Sequence, residues 1–172
     1  MLIHKTFLHI LLTASMFVGI QCDAATEIIK NIDGTDSKLQ VIYDRASKTA
    51  KAPTVIIAHG SAGVSANNHW WANTINEWGY NTVIVDHYTL RGIFRHTGRM
   101  VDGARMRDRA KDFADVVTWI EKQPWHEGRM SIVGFSMGGG GVMAFVSTEL
   151  MQEIGVMPAE NLRQVVAAVA FY

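Results

Sequence analysis

The chain has 172 residues, 48% of them hydrophobic, with 16 Lys and Arg against 16 Asp and Glu and one cysteine. That length suits one domain or part of a larger one, and the apolar content and balanced charge exclude a disordered, collagen-like or low-complexity chain. A single cysteine excludes a disulfide framework and a cysteine-built zinc site, and zero net formal charge removes any whole-molecule attraction to nucleic acid or an anionic membrane.

Met1 to Ala24 reads as an export leader, a signal peptide. His4 and Lys5 give a weakly basic start, and Phe7 to Ile20 is an apolar run broken only by His9, Thr13, Ser15 and Gly19. Cys22 and Ala24 are the small residues a signal peptidase reads, with cleavage after Ala24. The run is shorter than the ~20 apolar residues of a spanning helix, so no stable membrane anchor is expected. The alternatives are a buried N-terminal helix and a lipid-modified Cys22, although Gln21 is a poor residue before such a site. A mature chain without cysteine fits a bacterial periplasmic or secreted location.

The remainder, residues 25–172, alternates strands and helices. Lys38 to Tyr43 alternates polar and apolar, as a half-buried strand does. Thr54 to His59 is a β-branched run fit for a strand buried on both faces. Ala66 to Trp78 is an expected helix with Trp71, Ile75 and Trp78 on one face, ended by Gly79. Asn81 to Asp86 is another buried strand. Arg105 to Lys122 is the clearest helix: Met106, Ala110, Phe113, Val117 and Ile120 form one apolar stripe. Arg129 to Gly134 is a strand and Met137 to Leu150 a helix, Pro158 sits in a loop, and Val165 to Tyr172 is a wholly apolar strand expected in the core. This order predicts right-handed βαβ units: an α/β fold with a mostly parallel sheet and helices on both faces. Ligands of such sheets bind beyond the carboxyl ends of the strands, so the residues after each strand are the candidates.

One of those turns carries chemistry. Gly134-Phe135-Ser136-Met137-Gly138 is G-x-S-x-G between a strand and a helix. A serine hydroxyl is a weak nucleophile that must be presented to a base and a carbonyl together, and a sharp strand-to-helix turn does this for Ser136. Gly134 and Gly138 admit neighbouring backbone, and the Met137 N–H at the helix start faces the oxyanion of acyl transfer. The plainer alternative is a glycine turn that only packs a helix on the sheet. Glycines at 138–141 cost about 1 kcal/mol each against alanine in a helix, so something requires them. His59-Gly60-Ser61-Ala62-Gly63 follows the first buried strand, where the loop supplies the second oxyanion donor; Ser61 N–H is the candidate. His59 is expected to brace this loop, with a catalytic-base role as the sharper alternative.

The HGSAG loop, VDHYTLRG, PWHEGRMSIVGFSMGG and VAAVAFY occur in the order that resembles the dienelactone hydrolase family of the α/β-hydrolase fold, over Val41 to Tyr172. The resemblance implies hydrolysis of a small-molecule ester or lactone through an acyl-enzyme, with no cofactor. The namesake enzymes carry cysteine where this chain has Ser136, which favours a general esterase. In that family the acid and histidine lie C-terminal to the position of Tyr172. Residues 25–172 are therefore expected to be the N-terminal two-thirds of the domain, with activity impaired by the missing acid and base.

Other residues carry weaker expectations. The segment Arg91 to Lys111 is basic; it reads either as a solvated face, with Asp108 pairing Lys111, or as a site where Arg91 captures an anionic substrate group. His59 and Arg91 are thus the candidate substrate-binding residues. Trp70, Trp71 and Trp78 are expected in core and pocket wall rather than as a stacking platform, and Asp86 either orients a loop or pairs with His59 or His87 in a catalytic role. His69, His87, His96 and His126 lack metal-ligand spacing, so no metal site is expected. Two other classes stay open: a non-catalytic relic or binding module on the same fold, and a dinucleotide-binding enzyme, which the Ser136 side chain and the missing acidic residue both disfavour.

Overall fold

A computed structural model of the protein describes residues 24–31, 36–94, 105–153 and 164–171, with Gly34 and Gly155. The expected leader up to Asp23, His96, Pro158 and Tyr172 lie outside the described residues. In chain order the elements are β1 (Ala25–Lys30), β2 (Asp36–Asp44), β3 (Ala52–Ala58), α1 (Ala66–Glu77), β4 (Asn81–Asp86), α2 (Met106–Glu121), β5 (His126–Phe135), α3 (Met137–Val146), α4 (Thr148–Glu153) and β6 (Val165–Phe171). They form one six-stranded sheet of order β1-β2-β4-β3-β5-β6. The β3–β4, β3–β5 and β5–β6 pairs are parallel, while β1–β2 and β2–β4 are antiparallel.

Successive side chains of the inner strands go to opposite faces, which builds a core on each side. Ile56 and Ala58 of β3 and Val83 and Val85 of β4 pack with Ala110, Phe113 and Val117 of α2 and Val142 and Phe145 of α3. Ile57, Ile84 and Val133 pack instead with Ala72 and Ile75 of α1. The apolar stripe predicted on α2 is the buried one, with Met106 partly buried. Asp115, Arg109 and Asp112 are buried on the same helix, so α2 is covered more widely than its stripe alone requires. The Trp119 Nε1–H donates to Glu27 Oε1 at 3.0 Å and ties β1 to α2.

The differences from expectation have local causes. Only Ile29 of β1 is buried, so that strand carries no hydrophobic alternation to read. β5 begins at His126, but Glu127 to Arg129 are exposed and the apolar signal starts at Met130. The expected helix 137–150 breaks at Ser147, whose ψ of 104° is extended, so α3 and α4 are separate. α1 is rotated part-way from the tryptophan face: it buries Asn68, Ala72, Ile75 and Asn76, keeps Trp71 packed against that core, and leaves Trp70 and Trp78 58% and 64% exposed. Asn68 and Asn76 have reasons to be inside. Asn68 closes the capping box with Ser65, and the Asn76 side chain donates to the Tyr80 carbonyl at 3.2 Å. β6 pairs with β5 alone among the described strands, and Val166, Val169 and Phe171 are exposed rather than core.

Phe113 and Trp78 separate these two situations. Phe113→Ala is expected to cost about 3–5 kcal/mol, because it empties a packed site, and Trp78→Ala to stay within about 0.5 kcal/mol. Urea unfolding of the two variants measures both; a large loss for Trp78→Ala would contradict the rotation of α1.

Candidate active site

β5 ends at Phe135 and α3 begins at Met137, so Ser136 alone makes the turn. Its φ of 52° and ψ of −118° are unusual for an L-residue, and Ser136 is the sole non-glycine described residue with positive φ. Such a conformation costs about 1–3 kcal/mol and persists only where its surroundings impose it. Here the Ser136 N–H donates to the Phe171 carbonyl at 2.7 Å, and its carbonyl accepts from Gly140 N–H at 3.2 Å. The Ser136 residue is exposed, at the carboxyl end of the sheet.

The flanking glycines are required by contact. A Cβ on Gly134 would sit 2.3 Å from the Gly138 oxygen, and one on Gly138 would sit 2.5 Å from the Ala58 oxygen and 2.7 Å from that of His59. Close packing and the sharp turn are therefore one device. The loop after β3 lies against the same turn: a Cβ on Gly60 would be 3.5 Å from the Ser136 Cβ. Gly63 N–H donates to the Gly60 carbonyl at 3.4 Å, which closes that loop, and the half-buried Ser61 N–H has no partner among the described residues. Met137 N–H, the first of α3, has no intrahelical acceptor and carries the positive end of the helix dipole. The structure thus brings Ser136, Met137 and Ser61 to one edge.

It places the two candidate substrate-binding residues elsewhere. His59 is fully buried, and both ring nitrogens are occupied: Nδ1 lies 2.6 Å from the Gly60 carbonyl and Nε2 accepts from His87 N–H at 3.2 Å. The proton is therefore on Nδ1, and His59 braces the loop with no nitrogen left for Ser136 or a substrate. Burial, and then the charges near His87 and Arg109, push its pKa down to about 3. Arg91 is committed too. Its Nη1 donates to the His87 carbonyl at 2.9 Å and to Asp112 Oδ2 at 2.7 Å, and its Nη2 donates to Asp112 Oδ1 at 2.6 Å. In place of a substrate anion, Arg91 holds a carboxylate of its own chain. Asp86 has the expected loop role: its Oδ1 accepts from Tyr88 and Thr89 N–H, each at 3.0 Å. Asp108 accepts from Arg105 N–H at 3.1 Å at the start of α2.

Sequence reasoning misses the cluster under the loop. Asp112 accepts from Arg91 and also lies 2.6 Å from His87 Nδ1. Burial raises the Asp112 carboxyl, but the bonds from Arg91 and His87 outweigh it and hold the group below the usual carboxylate range. Burial and the Arg109 charge lower His87 to about 4 against the pull of Asp112. The His87–Asp112 pair looks like a base and its orienting acid, yet His87 is fully buried and its Nε2 meets no partner among the described residues. The signal available in sequence is positional: Arg109 and Asp112 adjoin Ala110 and Phe113 on the apolar side of α2, where a solvated charge does not belong.

The buried histidines set a pH dependence. Folded, they stay neutral to about pH 3 for His59 and about 4 for His87, against an ordinary 6.5. Below about pH 6.5 the unfolded chain takes up protons that the fold refuses, so stability is full above that pH and falls on acidification toward pH 4, by up to about 1.4 kcal/mol per unit per histidine. The urea midpoint is expected to drop between about pH 7 and pH 4.5, and to drop less in His87→Asn. A midpoint independent of pH across that window would contradict the neutral buried histidines.

The family model of the X-Pro dipeptidyl-peptidases (S15 family) matches residues 33–158. No curated protein matches the chain by sequence. Among solved structures, the chain is similar to Est1E from Butyrivibrio proteoclasticus, with 21% identity, a TM-score of 0.58, and coverage of 86% of this chain and 49% of that one. It is also similar to brefeldin A esterase, described as a bacterial homologue of human hormone-sensitive lipase: 18% identity, TM-score 0.60, 86% of this chain and 39% of that one. A third is the Pyrococcus furiosus esterase Pf2001, with 18% identity, a TM-score of 0.58, and 87% of this chain on 48% of that one. The chain spans half or less of the length of these three structures. These likenesses carry the α/β-hydrolase fold, the level at which the resemblance to dienelactone hydrolases is met. The chain has the α/β-hydrolase fold and belongs to the X-Pro dipeptidyl-peptidase (S15) family.

Proposed function

We propose that this chain carries the nucleophile and oxyanion hole of a serine hydrolase that cleaves a small ester or lactone, as the dienelactone hydrolase resemblance implies. One observation carries the reading: Ser136 is forced into a positive φ at a strand-to-helix turn, beside the α3 N-terminus and the Gly60 loop. In the proposed reaction Ser136 Oγ attacks the carbonyl carbon, and the resulting oxyanion takes hydrogen bonds from Met137 and Ser61 N–H. Collapse breaks the acyl C–O bond, the leaving oxygen becoming an alcohol with the proton lost by Ser136 (tethered to the acyl group in a lactone), and water then hydrolyses the acyl ester to the acid and restores the Ser136 hydroxyl. Two such donors act where charge develops, and removing one typically costs 10²–10³ in rate.

His59 has both ring nitrogens occupied and His87 is fully buried with its Nδ1 on Asp112, so neither is read as the base. Ser136 and the oxyanion donors acting without a base, none being hydrogen-bonded to Ser136 among the described residues, would give only slow turnover. The reading includes export to the periplasm or medium, supported by the Met1–Ala24 pattern. The family match favours a second substrate class, a peptide bond following X-Pro.

The test pairs p-nitrophenyl acetate with Ala-Pro-p-nitroanilide, and adds a fluorophosphonate probe with mass analysis of the adduct. Slow labelling confined to Ser136, and its loss in Ser136→Ala, are expected, with ester preferred to anilide. Faster anilide cleavage would move the substrate to X-Pro peptides. Labelling unchanged in Ser136→Ala would remove Ser136 as nucleophile, and no labelling in the unaltered chain would favour a binding module on the same fold.

A further inference from the structure

Arg109 is the largest fully buried side chain among the described residues. A buried guanidinium is costly unless its surroundings compensate it, and no carboxylate lies within ion-pair distance of it among the described residues. What it touches instead is the rear of the oxyanion edge. Nη1 donates to the His59 carbonyl at 2.8 Å, two residues before Ser61. Nη2 lies 3.5 Å from the Met137 thioether sulfur, the side chain of the other donor residue. The guanidinium carbon stands 5.1 Å from the Tyr88 ring centre, and the Tyr88 hydroxyl donates to the same sulfur at 3.3 Å. One side chain from α2 therefore grips both walls of the hole.

The glycines of α3 fit this role. Gly134 and Gly138 are explained by the sharp turn; Gly141 is not. A Cβ on Gly141 would sit 3.0 Å from Arg109 Cβ and 3.2 Å from its Cδ. Glycine there lets α2 bring Arg109 under the loop.

We propose that Arg109 is a positioning residue of the oxyanion hole, holding the Ser61 and Met137 amides in register from behind without touching substrate. The inference rests on the Ser136 reading for its catalytic consequence, but the placement of the loop is measurable without it. Arg109→Met, Arg109→Lys, Gly141→Ala and the Arg109→Met/Gly141→Ala double variant are compared with the unaltered chain by hydrogen-exchange mass spectrometry and by fluorophosphonate labelling kinetics. In Arg109→Met, exchange is expected to rise in the peptide spanning His59 to Gly63 and not in β3 or β4. The maximal labelling rate is expected to fall about 10²-fold with little change in probe affinity. Arg109→Lys keeps a donor for the His59 carbonyl and is expected to recover part of both losses. Gly141→Ala is expected to repeat them more weakly, and the double variant to be no worse than Arg109→Met. Loop exchange unchanged in Arg109→Met, or raised equally throughout the sheet, would overturn the proposal. If Ser136→Ala still labels, the nucleophile assignment fails, while loop exchange continues to judge Arg109.

Discussion

The first turn of α3 rests directly on the carboxyl ends of β3 and β5, with the α-carbon of Gly138 against the carbonyls of Ala58 and His59. Any side-chain carbon at that point would overlap a backbone oxygen. The contact fixes how closely the helix approaches the sheet, and that distance forces the chain to reverse within the single residue Ser136. The positive φ, the exposure of Ser136 and the helix N-terminus beside it all follow from this constraint. So does the position of the Gly60 loop, because the His59 carbonyl is one of the two carbonyl groups that Gly138 meets.

A second layer of polar groups keeps the loop from relaxing away. Arg91, Asp112 and His87 form a chain of short bonds from the turn after β4 to α2, and His87 N–H passes the restraint to His59. Arg109 reaches the same residue from its carbonyl side. Buried charges of this kind contribute little net stability compared with well-packed apolar groups, and removing one partner is costly because the other is left uncompensated. Their value here is geometric: they fix backbone amides at the edge where Ser136 is presented. Acid weakens the arrangement because it depends on histidines that stay neutral.

The parts of this design differ in how far sequence betrays them. Strands buried on both faces announce themselves, and the Asn81–Asp86 strand is read to its bounds. The strand-to-helix turn at Ser136 is legible because the glycine spacing, the preceding apolar strand and the following helix agree. β1 is not legible, since a mostly exposed edge strand has no hydrophobic period. Trp70 and Trp78 mislead for a related reason: size suggests burial, while the helix also buries Asn68 and Asn76, whose local bonds to Ser65 and Tyr80 leave no hydrophobic signal. Arg91 shows the same limit in charge. A basic residue beside the active edge suits a substrate anion in sequence, and only the fold reveals that Asp112, 21 residues away, already fills that role.

Ser136, Met137 and Ser61 together are proposed as one oxyanion-stabilising centre. A crystal structure of the chain after reaction with diethyl p-nitrophenyl phosphate tests it directly. Phosphorus is expected on Ser136 Oγ, with the phosphoryl oxygen about 2.7–3.1 Å from both the Met137 and Ser61 amide nitrogens. Modification at another residue, or a phosphoryl oxygen turned away from both amides, would contradict it.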